Sequence, residues 1–180
     1  EDYLFTNLRD DVCGYFMAQT SDELCKMLDV SREDADSFAA LSHQRAENSI
    51  RNGIWEDEIV EVITPEGVLG SSHDDHVVIG TTMESLSGLR THFGPDSLVT
   101  AGNASGVVDG AAAIVVKSGA RAKSDGDSPL SRIISWGIVG LDPKIMAHGP
   151  VPSSNLALQK AGLKVEDIDL WEINEAFAGQ

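Results

Sequence analysis

Two short runs rich in Ala, Ile and Val, at 110–117 and 132–139, constrain the fold more than any other feature of the chain. Near-continuous apolar runs of this length are those of strands covered on both faces, which places the chain among layered α/β proteins. The remaining periodicity supplies the helices. Thr20-Ser21-Asp22-Glu23 reads as a capping box that opens a helix through Leu28, and Ser31-Arg32-Glu33-Asp34 repeats the device with Asp for Glu. Behind it, Ala35, Phe38, Ala39, Ser42, Ala46, Ser49 and Ile50 share one face at helical spacing, which predicts a helix of about 20 residues stopped at Gly53. Residues 58–64 predict a strand running into the turn Pro65-Glu66-Gly67, and 70–82 an exposed loop. Residues 120–128, small and polar around Asp125-Gly126-Asp127, form the candidate linker. Pro152-Ser153-Ser154 opens a helix through Ala161 that Gly162 closes, and 169–173 form a short strand leading into Asn174.

Composition narrows the function classes. Hydrophobic residues make up 42% and charged residues 23% of the 180, which is ordinary for a globular α/β chain. The formal charge of −16, from 13 Lys+Arg against 29 Asp+Glu, repels nucleic acid and anionic membranes. The longest apolar run is far shorter than the roughly 20 residues that span a bilayer, and no targeting pattern is evident at the N-terminus. Cys13 and Cys25 are too few for a disulfide framework and have no His or Cys at zinc-ligand spacing. The expectation is a cytoplasmic protein without a metal. A start at Glu1 and a stop at Gln180, just after a motif, read as the ends of a fragment.

Two segments could carry chemistry. Thr100-Ala101-Gly102-Asn103-Ala104-Ser105-Gly106-Val107-Val108-Asp109-Gly110 brackets small polar groups with three glycines, which lets a ligand approach the backbone or makes a tight turn feeding a strand. Its spacing and the run behind it are not those of a dinucleotide fingerprint. Trp171-Glu172-Ile173-Asn174-Glu175-Ala176-Phe177-Ala178 sets an amide between an expected strand and an expected helix. An Asn there positions a water or donates to a developing oxyanion, or caps the helix.

Thr-Ala-Gly-Asn-Ala-Ser-Gly with Asp-Gly-Ala-Ala-Ala, followed by Asn-Glu-Ala-Phe-Ala, resembles the thiolase family of acetyl-CoA acetyltransferases and 3-ketoacyl-CoA thiolases. Met17 with Thr20, Ser31 to Asp34 with Ser42-His43-Gln44, Asp57-Glu58-Ile59-Val60 and Gly149-Pro150-Val151-Pro152 agree in order, so the resemblance covers nearly the whole chain. It implies a thiolase-like layered α/β fold in part. Residues 1–98 correspond to the later loop region, 99–127 to the end of the N-terminal half and 128–180 to the start of the C-terminal half.

The resemblance further implies an acyl-CoA C-acyltransferase that runs a reversible Claisen condensation through an acyl-cysteine, as in fatty acid metabolism. Coenzyme A thioesters are then substrates rather than cofactors, and the full-length family forms homodimers or homotetramers. Ser105 matches the serine touching the pantetheine arm, Met17 and Met146 match methionines lining the acyl end, and Asn174 matches the asparagine that holds an oxyanion-site water. Ala176 and Phe177 match the pocket wall. The nucleophilic cysteine, the base histidine and the second cysteine match nothing in these 180 residues, so Cys13 and Cys25 read as inert thiols and His43 and His92 as structural. The chain alone is expected to be inactive. Phe16 and Val78 depart from short-chain biosynthetic relatives, which often have a His and a basic residue there; His73, His76 and Arg90 are the candidate replacements for the phosphate partner. A rival implication is a non-catalytic thiolase-like subunit that only binds CoA thioesters.

Overall fold

The computed structural model describes residues 3–69, 74 and 76–180. Its helices are α1 (Tyr3–Asn7), α2 (Met17–Met27), α3 (Arg32–Arg51), α4 (Met83–Ser87), α5 (Gly119–Asp125) and α6 (Pro150–Ala161), with 3₁₀ turns at Pro143–His148 and Val165–Asp167. Among the described residues the one sheet is a two-stranded hairpin, β1 (Val62–Thr64) with β2 (Gly67–Leu69). The chain divides into two compact units. The first is Glu1–Gly106 with Leu141–His148 and Asn174–Gln180, and the second is Val107–Gly140 with Gly149–Ile173.

The first unit is organised by α3. The Ser31 hydroxyl accepts from the Asp34 N–H at 3.1 Å while the Asp34 carboxylate accepts from the Ser31 N–H at 2.9 Å, so two N–H groups at the helix start are satisfied reciprocally. Those bonds to Ser31 hold the Asp34 carboxyl below its ordinary range. At the other end the N–H of Gly53, at φ 65°, reaches the Ile50 carbonyl and that of Ile54 reaches Ser49, which is the Schellman closure that its glycine anticipates. The helix is thus as long as its periodicity predicts. Ala35 and Ala39 are buried from it.

Helix α2 starts earlier than expected. Thr20, Ser21 and Asp22 are buried within it rather than capping it. Instead the Gln19 side chain reaches back to accept from the Phe16 N–H at 2.9 Å, and the Thr20 hydroxyl donates to the Met17 carbonyl at 2.7 Å. The ring of Phe16 stacks between Phe5 and Phe93 at centroid distances of 6.3 and 5.5 Å. That aromatic contact explains why Phe, without a hydrogen-bonding group, suits this position. Helix α2 packs against the 3₁₀ turn Pro143–His148.

A buried polar network then ties α3 to the loops. The Asp36 carboxylate, 1% exposed, accepts from Arg32 Nε and from Asn103 Nδ2, each at 2.8 Å. Asn103 also bonds the Leu98 carbonyl at 2.9 Å and the Thr100 N–H at 2.8 Å, while Arg32 reaches the Leu86 carbonyl at 2.8 Å. All these groups are matched, which is the condition for burying them.

The second unit departs most from expectation. Residues 110–117, 132–139 and 169–173 are not strands, and their side chains are largely exposed, Ile114 and Val115 at 86% and Ile138 at 83%. An apolar run identifies a strand by its side chains, but a strand exists only when neighbouring backbone completes its ladder, and no described residue does so here. What holds 132–139 is α6. The Ser135 hydroxyl donates to the Ala157 carbonyl at 2.7 Å, and Lys160 donates to the Trp136 carbonyl at 3.0 Å. A Cβ at Gly137 would lie 2.1 Å from the Ser153 carbonyl oxygen, so only glycine permits this approach. Helix α6 begins two residues before its predicted start, with Pro150 in its first turn, and Gly162 at φ 69° closes it.

The expected linker also folds. Ser118 caps α5 by accepting from the Arg121 N–H, and Gly126, at φ 76°, ends it. Asp125 and Asp127 pair with Lys117, and Asp125 with Arg121. Ala, Arg and Lys between two caps are good helix formers, a signal hidden by the small polar composition of the segment. The hairpin keeps the predicted turn, with Thr64 opposite Gly67, though its strands are shorter than 58–64. Among the described residues no helix is long and apolar enough to cross a membrane.

Candidate functional site

The candidate site is walled by α3 and by two loops that the backbone ties together. The Ser105 N–H donates to the Ala176 carbonyl at 2.8 Å, and the Ala178 N–H donates to the Asn103 carbonyl at 2.8 Å. Between them Ala104 and Phe177 form an antiparallel bridge. Asn174 therefore does not open a helix, although its position in the motif predicts one. Its segment is an extended clasp on the glycine-flanked loop, and this pairing takes up backbone groups that a helix start would leave for capping.

That clasp borders a cavity of about 280 Å³. Helix α3 contributes Phe38, Ala39, Ser42, His43 and Ala46, the loops contribute Gly102 to Ser105, and Asn174 and Glu175 face the same space. Ser105 and Asn174, the two polar side chains singled out by sequence, thus share one cavity. Met17, Met146, Ala176 and Phe177 do not line it. Met17 opens α2, Met146 sits in the 3₁₀ turn packed against α2, and Ala176 and Phe177 supply the backbone of the clasp.

Several cavity groups were not anticipated. Ser42 donates to Glu175 Oε2 at 2.5 Å, linking α3 to the residue beside Asn174. His43, read from the sequence as structural, lines the cavity, and its Nδ1 accepts from the Val78 N–H at 3.3 Å. Burial and the neighbouring His76 hold His43 below the ordinary histidine range, against the pull of the Glu175 carboxylate and the Gly102 carbonyl. With Nδ1 accepting, the neutral ring carries its proton on Nε2. His76 packs on Gly106, where a Cβ would lie 2.2 Å from its ring. The signal was present in the sequence: Phe38, Ala39, Ser42, His43 and Ala46 recur at i, i+4 and i+3 spacing, a stripe of mostly small residues suited to walling a space.

Of the candidate phosphate partners, His76 lies at the cavity, Arg90 is exposed and does not line it, and His73 falls outside the described residues. The thiols have no place in this wall. Cys25 is 1% exposed and burial pushes it up from its ordinary value, which leaves little thiolate for nucleophilic attack. Among the described residues no group of three or more His, Cys, Asp or Glu could hold a metal ion.

The thiolase N-terminal domain family model matches residues 1–120 and the thiolase C-terminal domain model matches residues 127–180. The chain belongs to the thiolase family. An acetyl-CoA acetyltransferase of Shinella zoogloeoides is 44% identical over 175 residues, covering 96% of this chain and 45% of that protein. A crystal structure of human mitochondrial 3-ketoacyl-CoA thiolase superposes with a TM-score of 0.92 at 41% identity, over 99% of this chain and 45% of the other. A structure of the human enzyme in complex with CoA gives 0.91 at 40% identity, again over 99% and 45%. The fold is that of part of a thiolase, and the chain spans about half the length of the thiolases it matches.

Proposed function

We propose that this thiolase segment serves an acyl-CoA C-acyltransferase that cleaves or forms 3-ketoacyl-CoA by reversible Claisen chemistry. The observation that carries the reading is the cavity shared by Ser105 and Asn174 inside a clasp built from the two motifs of the family. In this reading Ser105 contacts the pantetheine arm of CoA and Asn174, directly or through a water, donates to the oxyanion that develops on the thioester oxygen. Met17, Met146 and Phe177, which stand outside this cavity, supply apolar surface toward the acyl end, and Ala176 contributes through its carbonyl in the clasp.

The nucleophilic cysteine, the histidine that activates it and the second cysteine lie outside these 180 residues. Attack by the thiolate on the 3-keto carbon breaks the Cα–C bond, the second cysteine protonates the departing carbanion, and CoA then takes the acyl group from the cysteine. Residues 1–98 belong to the loop region, 99–127 end the N-terminal half and 128–180 open the C-terminal half; the change of family model between residues 120 and 127 supports the second of these boundaries. The complete protein acts in the cytoplasm as a homodimer or homotetramer.

Thiolysis of acetoacetyl-CoA, followed by loss of its enolate absorbance, tests the reading. A longer protein that carries this segment and supplies the missing groups turns over, and the 180-residue chain alone does not. Turnover by the chain alone would place the nucleophile at Cys13 or Cys25 and overturn the assignment.

A further inference from the structure

The bonds of the clasp are unevenly distributed around Asn174. Ala176 and Ala178 are held by backbone bonds to Ser105 and Asn103, and Gln180 reaches the Ala147 carbonyl at 3.0 Å, all on the C-terminal side of the asparagine. The residues just before it, 169–173, belong to no strand. The bond nearest to Asn174 in the chain is the one from Ser42 to Glu175. It joins a rigid helix of 20 residues, closed at both ends, to the residue adjacent to the asparagine.

We infer that Glu175 is a positioning residue for Asn174, with Ser42 as its anchor on α3; the inference rests on the oxyanion role proposed above for Asn174. An amide that donates to a developing charge helps only when it is held at the right distance before the charge appears. The Glu175 backbone is one peptide bond from Asn174, so fixing its carboxylate on α3 restricts how the Asn174 amide enters the cavity. His43, the next residue on α3, lines the same cavity.

The test uses the longer, catalytically complete thiolase and steady-state thiolysis of acetoacetyl-CoA. Ser42→Ala and Glu175→Ala each lower kcat about tenfold while KM stays within about twofold, since the substrate is still bound but the amide is less well placed. Glu175→Gln keeps an oxygen acceptor for the serine and restores most of kcat. The double variant Ser42→Ala/Glu175→Ala is no worse than either single one, because both remove the same link. Asn174→Ala in the same series separates the two levels. If it lowers kcat while the Ser42 and Glu175 variants do not, the positioning role is overturned and the oxyanion role stands. If all of them, Asn174→Ala included, leave turnover unchanged, both are overturned.

Discussion

Replacing Asp36 by alanine is expected to lower folding stability by about 3 kcal/mol, because it removes one side of a buried, charged and fully bonded pair. The carboxylate is 1% exposed and accepts from both Arg32 and Asn103. Without it, the Asn103 amide keeps its bond to the Leu98 carbonyl but loses the other acceptor, and the Arg32 guanidinium retains only the carbonyls of Leu86 and Leu89. Asp36→Asn keeps the shape and one acceptor, and is expected to recover roughly half of the loss. Chemical denaturation of the longer protein measures both. The effect extends to the cavity, since the carbonyl of Asn103 holds Ala178 in the clasp.

In the longer protein with the activity proposed above, replacing Asn174 by alanine is expected to reduce kcat for thiolysis about 100-fold with little change in KM. The amide faces the cavity beside Ser105, and its segment is fixed by backbone bonds that do not involve the Asn174 side chain. Truncation therefore leaves the wall in place and removes only a donor. A donor whose interaction strengthens as charge develops acts on kcat, whereas one that binds the ground state equally well would act on KM. Steady-state kinetics of the variant distinguishes the two.

How much of this could be read from the sequence depends on whether each feature is local. The α3 helix is local: Ser31 with Asp34 starts it, Gly53 stops it, and both devices work within a few residues. The same holds for the stop at Gly162. Helix α2 misled because its cap comes from Gln19 bonding back to Phe16, while the Thr20-Ser21-Asp22-Glu23 pattern that resembled a cap is buried inside the helix. The runs at 110–117 and 132–139 show the apolar character of covered strands, yet pairing depends on other segments and cannot be read from either run.

For the site, the motif identified Ser105 and Asn174, and the structure sets both on one cavity. It did not show that Asn174 belongs to a clasp rather than a helix start, because the Ala104 to Phe177 bridge joins residues distant in sequence. Ser42, His43 and Glu175 were missed for a related reason. Their stripe and their motif were each visible, but the Ser42 to Glu175 bond across 133 positions is a tertiary contact.

The most direct test is a crystal structure of the longer protein with an unreactive acyl-CoA analogue bound. The pantetheine arm is expected against Ser105, and the thioester oxygen within hydrogen-bond reach of Asn174 or of a water it holds. An analogue bound elsewhere, with both side chains away from it, would contradict the roles proposed for Ser105 and Asn174.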